Sequence, residues 1–252
     1  FGFWMIALSQ KIFGVNEFGT RFASAFFALI AIVFLYLLGK ELFNKKVGFF
    51  SAFSLLSAPW FVFRARSGNL DIFLTALFVI AVFFAFKASD DKKYLITLSI
   101  SLTFLFLTKT MIPFTIIPAL VLIFFRSKIL GKKNDSLRLK DLLWPLFIFF
   151  GLLGSWVFIN SSHNPGFLRN YLKIGATGVK TGTDWFENFK LVKTYVHNGI
   201  GNWFWPSSLS LIAGLFLRKK KFLVLFVLVG SILTPFIFSE KGHIWHFIPV
   251  YP

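Results

Sequence analysis

The chain has 252 residues, of which 56% are hydrophobic and 20% aromatic, with a mean hydropathy of +0.73. Apolar runs of about 15 to 20 residues, the length of bilayer-crossing helices, recur from end to end and exclude a soluble domain. The formal charge of +17 does not indicate nucleic acid, because the basic residues separate apolar runs instead of covering a soluble face. The absence of cysteine excludes disulfides and thiolate metal sites. We predict an all-α, polytopic transmembrane helical bundle.

The first residues favour a helix that lies in the membrane interface, over positions 1–13. Phe1 and Trp4 begin an apolar face at helical spacing, and polar residues turn away from it. Gly14 suits the end of this helix, and Asn16 suits the cap of the next. The end of a longer span is the alternative interpretation. The chain starts at Phe1 without Met or a signal peptide, so we interpret it as a piece of a longer membrane protein.

Eight complete spans follow in chain order, and we assign all of 1–252 to a single transmembrane domain. The predicted spans are Phe18–Gly39, Val47–Phe63, Asp71–Phe86, Tyr94–Leu107, Met111–Phe125, Leu142–Asn160, Trp203–Leu217 and Phe222–Phe238. A ninth apolar run begins near Ile244.

Basic residues set the orientation of these spans. More than half of the 27 Lys and Arg residues lie in one set of short loops, which the positive-inside rule places in the cytoplasm. The other loops then face outside, including the long outer loop 161–202. Within it, 175–184 is typical of a flexible turn and Phe186–Val196 of an amphipathic helix. We expect a bacterial or archaeal plasma membrane, with the active site facing outside.

The segment Tyr94–Phe125 is too long for one span and short for two. Because the basic clusters on both sides are predicted to be cytoplasmic, the number of crossings between them must be even. We predict two short helices joined by a turn at Thr108–Pro113 that stays at membrane depth. Such a turn is tolerated only against protein or a water-filled cavity, so Lys109 would point into that cavity.

Ionisable groups next to apolar runs gather at the predicted outer face. They are Arg64, Arg66, Asp71, Lys109, Glu240, Lys241, His243 and His246. Several cations at a lipid-accessible cavity suit an anionic lipid headgroup, because Arg binds phosphate oxygens in bidentate fashion and Lys acts as a point charge.

Simpler interpretations exist for most of these residues. The two arginines can snorkel to headgroups, and Asp71 can cap the helix that it begins. His243 and His246 are spaced to share a metal, but a pair without a third ligand is more often interfacial. Lys109 has the weakest simple explanation, because it interrupts an apolar region instead of ending it.

Several stretches, taken in order, resemble the C-type membrane glycosyltransferases. They are FWMIALSQKIFGVNEFGTRFAS, RARSGNLDIFLTAL, FLFLTKTMIPFTIIPAL, YVHNGIGNWFWPSS and TPFIFSEKGHIWHFIPVYP. The most similar branch contains the protein mannosyltransferases and the aminoarabinose–lipid A transferases. Members of this family carry an acid at the position of Asp71 and a lysine at that of Lys109.

The resemblance implies an inverting transferase, of hexosyl or pentosyl type, that uses a polyprenyl-phosphate sugar donor and a lipid, glycan or protein acceptor. It implies that the catalytic base is an aspartate upstream of Phe1, so Asp71 would be a supporting acid. Arg64, Arg66, Lys109, Lys241 and His243 would bind the donor. The aminoarabinose branch holds a metal with a histidine of the long outer loop. NYLKIGATGVKTG has no histidine, so a divalent metal stays open.

Two other classes fit the same charges. A transporter or flippase for a lipid-linked anion would line its path with cations, although such proteins often contain repeated halves, which this sequence does not show. A structural subunit would use its charges for topology alone.

Overall fold

The computed structural model describes residues 1–109, 111–130, 139–176, 185–216, 220–237 and 244–252. Within these ranges every regular element is helical, which confirms the all-α prediction. The α-helices there are α1 (Gly2–Phe13), α2 (Glu17–Leu42), α3 (Lys45–Leu56), α4 (Pro59–Ala65), α5 (Leu70–Asp90), α6 (Tyr94–Phe106), α7 (Ile117–Leu130), α8 (Leu143–His163), α9 (Phe167–Ala176), α10 (Trp185–Ile200), α11 (Phe204–Phe216) and α12 (Lys220–Ile237). Short 3₁₀ helices occupy Ile112–Ile116, Leu139–Leu142, Gly201–Trp203 and Ile244–Val250.

Local sequence signals set the junction between α1 and α2 as predicted. Gly14 follows α1 with a φ of 87°, a conformation that glycine adopts without steric cost. The Asn16 side chain caps α2 by accepting a hydrogen bond from the Gly19 amide at 2.8 Å. On α1 itself, Gly2 and Ser9 are buried, while Trp4 is exposed. Placement of this helix in the membrane interface stays a prediction.

Helix α5 is the centre of the bundle. Its most apolar stretch is 72% buried, and it contacts α2, α6, α7 and the 3₁₀ helix Ile244–Val250. Burial continues without a break from Asp71 to Val79, so the start of this helix has no face open to lipid. A helix that is apolar all round belongs in the core of a bundle, and its first residues bring Asp71 into that core.

The predicted span Val47–Phe63 is two helices, α3 and α4, with a bend of 67° between them. Proline disfavours helical backbone at the residue before it, and Ala58 is accordingly extended, with φ −72° and ψ 118°. Pro59 then occupies the first turn of α4, where its missing amide proton is not needed. The bend aims α4 and its terminal arginines toward the start of α5.

Within the described residues, three helices are long and apolar enough to cross a membrane, namely α2, α5 and a helical segment spanning Lys140–His163. The pair α3 and α4 raises this number to four if it counts as one bent span. Shorter apolar helices occupy Tyr94–Phe106, Ile112–Phe124 and Phe222–Ile237. The full set of eight spans therefore stays a prediction.

The segment after Tyr94 forms the two short helices that were predicted, α6 and α7. Lys109 lies in the turn between them, just beyond the end of α6, and Ile112–Ile116 then forms a 3₁₀ turn with Pro113 near its start. Because α5 and α6 run in opposite directions, the end of α6 returns the chain to the start of α5.

The long loop predicted at 161–202 contains two helices. Helix α10 covers the predicted Phe186–Val196, whereas α9 was not predicted. Most of the predicted flexible turn 175–184 lies outside the described residues. Only 6% of the most apolar stretch of Lys140–His163 is buried, so α8 is on the periphery of the bundle.

Candidate functional site

The candidate site is centred on an ion pair between Asp71 and Lys109. Asp71 lies in the first turn of α5, and its side chain is only 3% exposed. The Lys109 ammonium, from the turn after α6, donates a hydrogen bond to the Asp71 carboxylate, and the Lys109 side chain is 22% exposed. Two residues 38 positions apart in the sequence are thus joined in the interior.

The position of Asp71 suits a negative charge, and Lys109 compensates it. The N-terminus of a helix carries a partial positive charge that favours a nearby carboxylate. A buried ion that loses its partner leaves an uncompensated charge, at a cost of about 3 to 5 kcal/mol. Each member of the pair therefore keeps the other in place, and the pair holds charge close to an otherwise apolar core.

Asn69, not Asp71, caps α5. The Asn69 side chain accepts a hydrogen bond from the Asp71 amide at 2.7 Å, with extended backbone at Asn69. The Asp71 carboxylate points instead to Lys109. Its position in the first turn still benefits from the helix dipole, but the capping hydrogen bond does not explain why this residue is an acid.

Arg64 and Arg66 lie at the end of α4, on the turn that leads to Asp71. The Arg64 guanidinium lies over the ring of Trp60, 5.5 Å from its centroid, and 5.8 Å from that of Phe63. Such contacts hold a cation against aromatic faces without neutralising it. Arg64 is half-buried and Arg66 is exposed. Their roles in binding a donor stay predictions.

Tyr251 belongs to the same region, and the sequence analysis did not select it. Its side chain is 6% exposed, and its hydroxyl is within electrostatic reach of the Asp71 carboxylate. The hydroxyl packs on Gly199 of α10, where an added Cβ would lie 1.7 Å from it. The sequence does contain a signal for Tyr251, because it is a tyrosine within an apolar run. A buried tyrosine hydroxyl usually has a polar partner, so this residue could have been included among the candidates.

Two predicted site residues, Lys241 and His243, lie outside the described residues, as does Glu240. The side chain of His246 is likewise not described. Among the side chains that the structure does describe, no group of three or more His, Asp or Glu residues is placed to hold a metal ion. We therefore derive no step through a metal.

A cavity of about 420 Å³ extends from Tyr251 between the helices. Its walls come from α2, α3, α5, α11, α12 and the last residues of the chain, and most of its lining is apolar. Four serines also line it: Ser51, Ser54, Ser207 and Ser210. The cavity runs beside the middle of α5, where Phe78, Val79 and Val82 line it, and Tyr251 forms part of its wall.

Residues 1–152 match the family described as dolichyl-phosphate-mannose-protein mannosyltransferase. This stretch is more than half of the chain and includes Arg64, Asp71 and Lys109. The chain belongs to this family. The predicted resemblance to the C-type membrane glycosyltransferases is confirmed, and the aminoarabinose branch is supported by the relatives described next.

Several relatives match part of the chain. An uncharacterized protein of Aquifex aeolicus is 29% identical over 68% of the chain and 34% of its own length. An undecaprenyl phosphate-alpha-4-amino-4-deoxy-L-arabinose arabinosyl transferase of Pseudomonas aeruginosa is 33% identical over 48% of the chain and 23% of its own length. One from Pseudomonas fluorescens is 35% identical over 36% of the chain and 17% of its own length.

The fold matches a solved structure over the whole chain. ArnT from Cupriavidus metallidurans, solved bound to undecaprenyl phosphate, has a TM-score of 0.82 and 17% identity, with 100% of this chain and 47% of that chain covered. The structure of the same protein in the apo state gives a TM-score of 0.79. The chain thus spans less than half the length of the proteins it matches. Family, fold and apolar helices together show an integral, multi-pass membrane protein.

Proposed function

We propose that this chain is part of a glycosyltransferase that moves a sugar from a polyprenyl-phosphate donor to a lipid, glycan or protein acceptor. Family membership supports a transferase over a transporter. The Pseudomonas relatives, named for undecaprenyl phosphate and aminoarabinose, support a polyprenyl-phosphate donor. The observation that carries the proposal is the ion pair of Lys109 with Asp71 in the interior of the bundle.

Lys109 would bind a phosphate oxygen of the donor while Asp71 holds its ammonium in place. A lysine ammonium has three hydrogen-bond donors, and one of them is directed to the Asp71 carboxylate. The side chain is 22% exposed, so it is not fully enclosed, and the ammonium would reach a second anion through its remaining donors. Asp71 is then a supporting acid that positions the cation.

Arg64 and Arg66 would add positive charge at the same end of α5. The Arg64 guanidinium packs on two aromatic rings, which restrict the motion of its long side chain. This restriction lowers the conformational entropy that Arg64 would lose on binding the donor. A guanidinium pairs with two phosphate oxygens at once. Lys241 and His243 stay candidates for donor binding on the resemblance alone.

The reaction would invert the anomeric centre in one displacement. The acceptor hydroxyl oxygen forms a bond to the anomeric carbon while the bond from that carbon to the phosphate oxygen breaks. The acceptor proton passes to the general base, which the resemblance assigns to an aspartate upstream of Phe1. Negative charge grows on the departing polyprenyl phosphate, and cations fixed near its oxygens stabilise that charge.

The cavity beside α5 would receive part of the polyprenyl chain. Its volume of about 420 Å³ is within the range of small-molecule sites, about 300 to 1,000 Å³. Its apolar walls suit isoprene units. A donor whose chain entered this cavity would present its phosphate near Tyr251, Asp71 and Lys109.

The test compares Lys109→Met with Lys87→Met in the full-length protein, in nanodiscs. Lys87 is the matched control, because it pairs with Glu41 at the other end of α5. Binding of undecaprenyl phosphate would be measured by native mass spectrometry. Transfer activity would be measured as the rate of product formation with an undecaprenyl phosphate-linked sugar as donor. We expect Lys109→Met to weaken donor use about tenfold or more, with Lys109→Arg recovering part of it.

An unchanged donor dependence in Lys109→Met would refute the phosphate role. It would leave Lys109 as the partner of Asp71 alone. Movement of the intact sugar-linked lipid across the membrane of liposomes, without sugar transfer, would favour the alternative function as a transporter.

The placement of the site at the outer face has its own test. Ser67 and Asp90 are exposed at opposite ends of α5, and each would be replaced in turn by a single cysteine. The chain has no cysteine of its own. In intact cells an impermeant maleimide should label position 67 and not position 90. Labelling from the same side would refute the topology.

A further inference from the structure

The turn between α4 and α5 is fastened to α2 by one buried side chain. Ser24 is 0% exposed. Its hydroxyl donates a hydrogen bond to the Ala65 carbonyl at 2.8 Å and accepts one from the Gly68 amide at 3.1 Å. The hydroxyl also lies 3.0 Å from the Arg21 carbonyl of its own helix. Both ends of the turn are therefore held by a residue more than 40 positions away in the sequence.

Gly68 brings the same turn directly onto α2. Its φ is +63°, which side chains with a Cβ rarely adopt. A Cβ at Gly68 would lie 3.0 Å from Thr20 Cγ2 and 3.1 Å from the Thr20 carbonyl oxygen. Gly68 thus packs closely on both the side chain and the backbone of Thr20, and Ser24 adds the hydrogen bonds that fix its position.

The turn carries the cations of the candidate site on one side and its acid on the other. Arg64 and Arg66 lie at its start, and Asn69 caps α5 at its end, two residues before the buried Asp71. A shift of the turn would move the arginines relative to Asp71. Packing alone does not require a hydroxyl at position 24, since the neighbouring buried positions of α2 include Ala23 and Ala28.

We propose that Ser24 is a positioning residue for donor binding: it locks the Ala65–Gly68 turn so that Arg64 and Asp71 keep their spacing. This inference rests on the proposed function. A buried serine that bonds to a turn 41 and 44 residues away fixes loop geometry in a way that an apolar residue of similar size does not. Ser24 acts through the turn and does not itself contact the donor.

The experiment compares Ser24→Ala with Ser89→Ala in the full-length protein. Ser89 is the matched control, because it is half-buried near the opposite end of α5 and, among the described residues, its hydroxyl bonds within its own helix, to the Phe86 carbonyl at 2.8 Å. Hydrogen exchange of peptides covering 64–70 reports the turn without any need for activity. Steady-state kinetics with an undecaprenyl phosphate-linked sugar report its effect on the donor.

We expect faster exchange at Gly68 in Ser24→Ala, and a donor KM raised about tenfold with kcat nearly unchanged, since misplaced binding groups are costly. Ser89→Ala should match the wild type in both measurements. Gly68→Ala strains the same turn from its other side, so it should raise the donor KM too, and the double variant should lose less than the two single effects combined.

Faster exchange with an unchanged KM would overturn the positioning role and leave Ser24 structural. Unchanged exchange at Gly68 would overturn it as well. A wild-type protein without transferase activity would instead refute the proposed function, and the exchange data would still report the turn. If Ser24→Ala does not insert, Gly68→Ala supplies the same two readings.

Discussion

The two ends of α5 each carry an ion pair, and the difference between them indicates where function lies. At one end Asp71 pairs with Lys109, with side chains 3% and 22% exposed. At the other end Lys87 pairs with Glu41 at 2.7 Å, with side chains 29% and 37% exposed. Asp71 and Lys87 each have the sign that the α5 dipole favours at that end, so the two pairs differ mainly in burial.

Burial changes what each pair does. A pair open to water is screened and contributes about 0 to 1 kcal/mol. A buried pair contributes little net stability, but the removal of one partner costs about 3 to 5 kcal/mol. Charges that add little to stability and are expensive to separate are typical of functional sites. We therefore propose that the Asp71 end of α5 contributes to the chemistry and that the ion pair at the Lys87 end only joins α5 to α2.

The largest expected effect is the loss of transfer activity in Asp71→Asn. Asparagine keeps the shape of the side chain but leaves Lys109 without its counter-ion. The ammonium should then no longer be held at the position where it would bind the donor phosphate. We expect a loss of about a hundredfold in the full-length enzyme, with normal membrane insertion. The control Glu41→Gln should stay within about twofold of wild type. Wild-type activity in Asp71→Asn would break the comparison, because both ends would then be structural.

The second effect is a coupling that only the buried pair should show. Asp71→Asn and Lys109→Met each leave one unpaired charge, whereas the double variant leaves none. The double variant should unfold at a higher temperature than either single variant, with a coupling of about 3 kcal/mol or more. The same cycle at Glu41 and Lys87 should be nearly additive. Thermal unfolding in detergent measures both cycles, and additive penalties at Asp71 and Lys109 would contradict a buried pair.

The sequence predicted the parts of this picture that depend on local signals. Long apolar runs, with the cap at Asn16, gave α2 and α5 nearly correct bounds, and alternating helices placed Asp71 and Lys109 at one end of the bundle. The bend at Pro59 was missed because Val47–Phe63 has the length and composition of a straight span. The pairing of Lys109 with Asp71, and the contact of Tyr251 with this region, depend on how distant helices pack, which no local pattern contains.

A third, smaller effect is expected at Gly199. An alanine Cβ there would lie 1.7 Å from the Tyr251 hydroxyl, so the Tyr251 side chain must shift from its present position. We expect Gly199→Ala to lower stability by about 1 to 3 kcal/mol and to weaken donor use. Gly154→Ala on α8 is the control, since nothing lies within 4 Å of its Cβ position. Equal behaviour of the two variants in thermal unfolding and activity would remove Tyr251 from the site.

The smallest effect should come from the Lys87 end itself. Lys87 and Glu41 join α5 to α2, but with side chains 29% and 37% exposed, water and salt screen their attraction. Lys87→Met should therefore change stability by less than about 1 kcal/mol, and the change should shrink further between low and high salt.

The Asp71–Lys109 cycle should keep its coupling at high salt, because a buried pair is screened much less. Unfolding measured at two salt concentrations separates the cases. A coupling at the Lys87 end as large and salt-resistant as the one at Asp71 would mean that burial does not distinguish the two ends, and the assignment of chemistry to Asp71 would lose its physical basis.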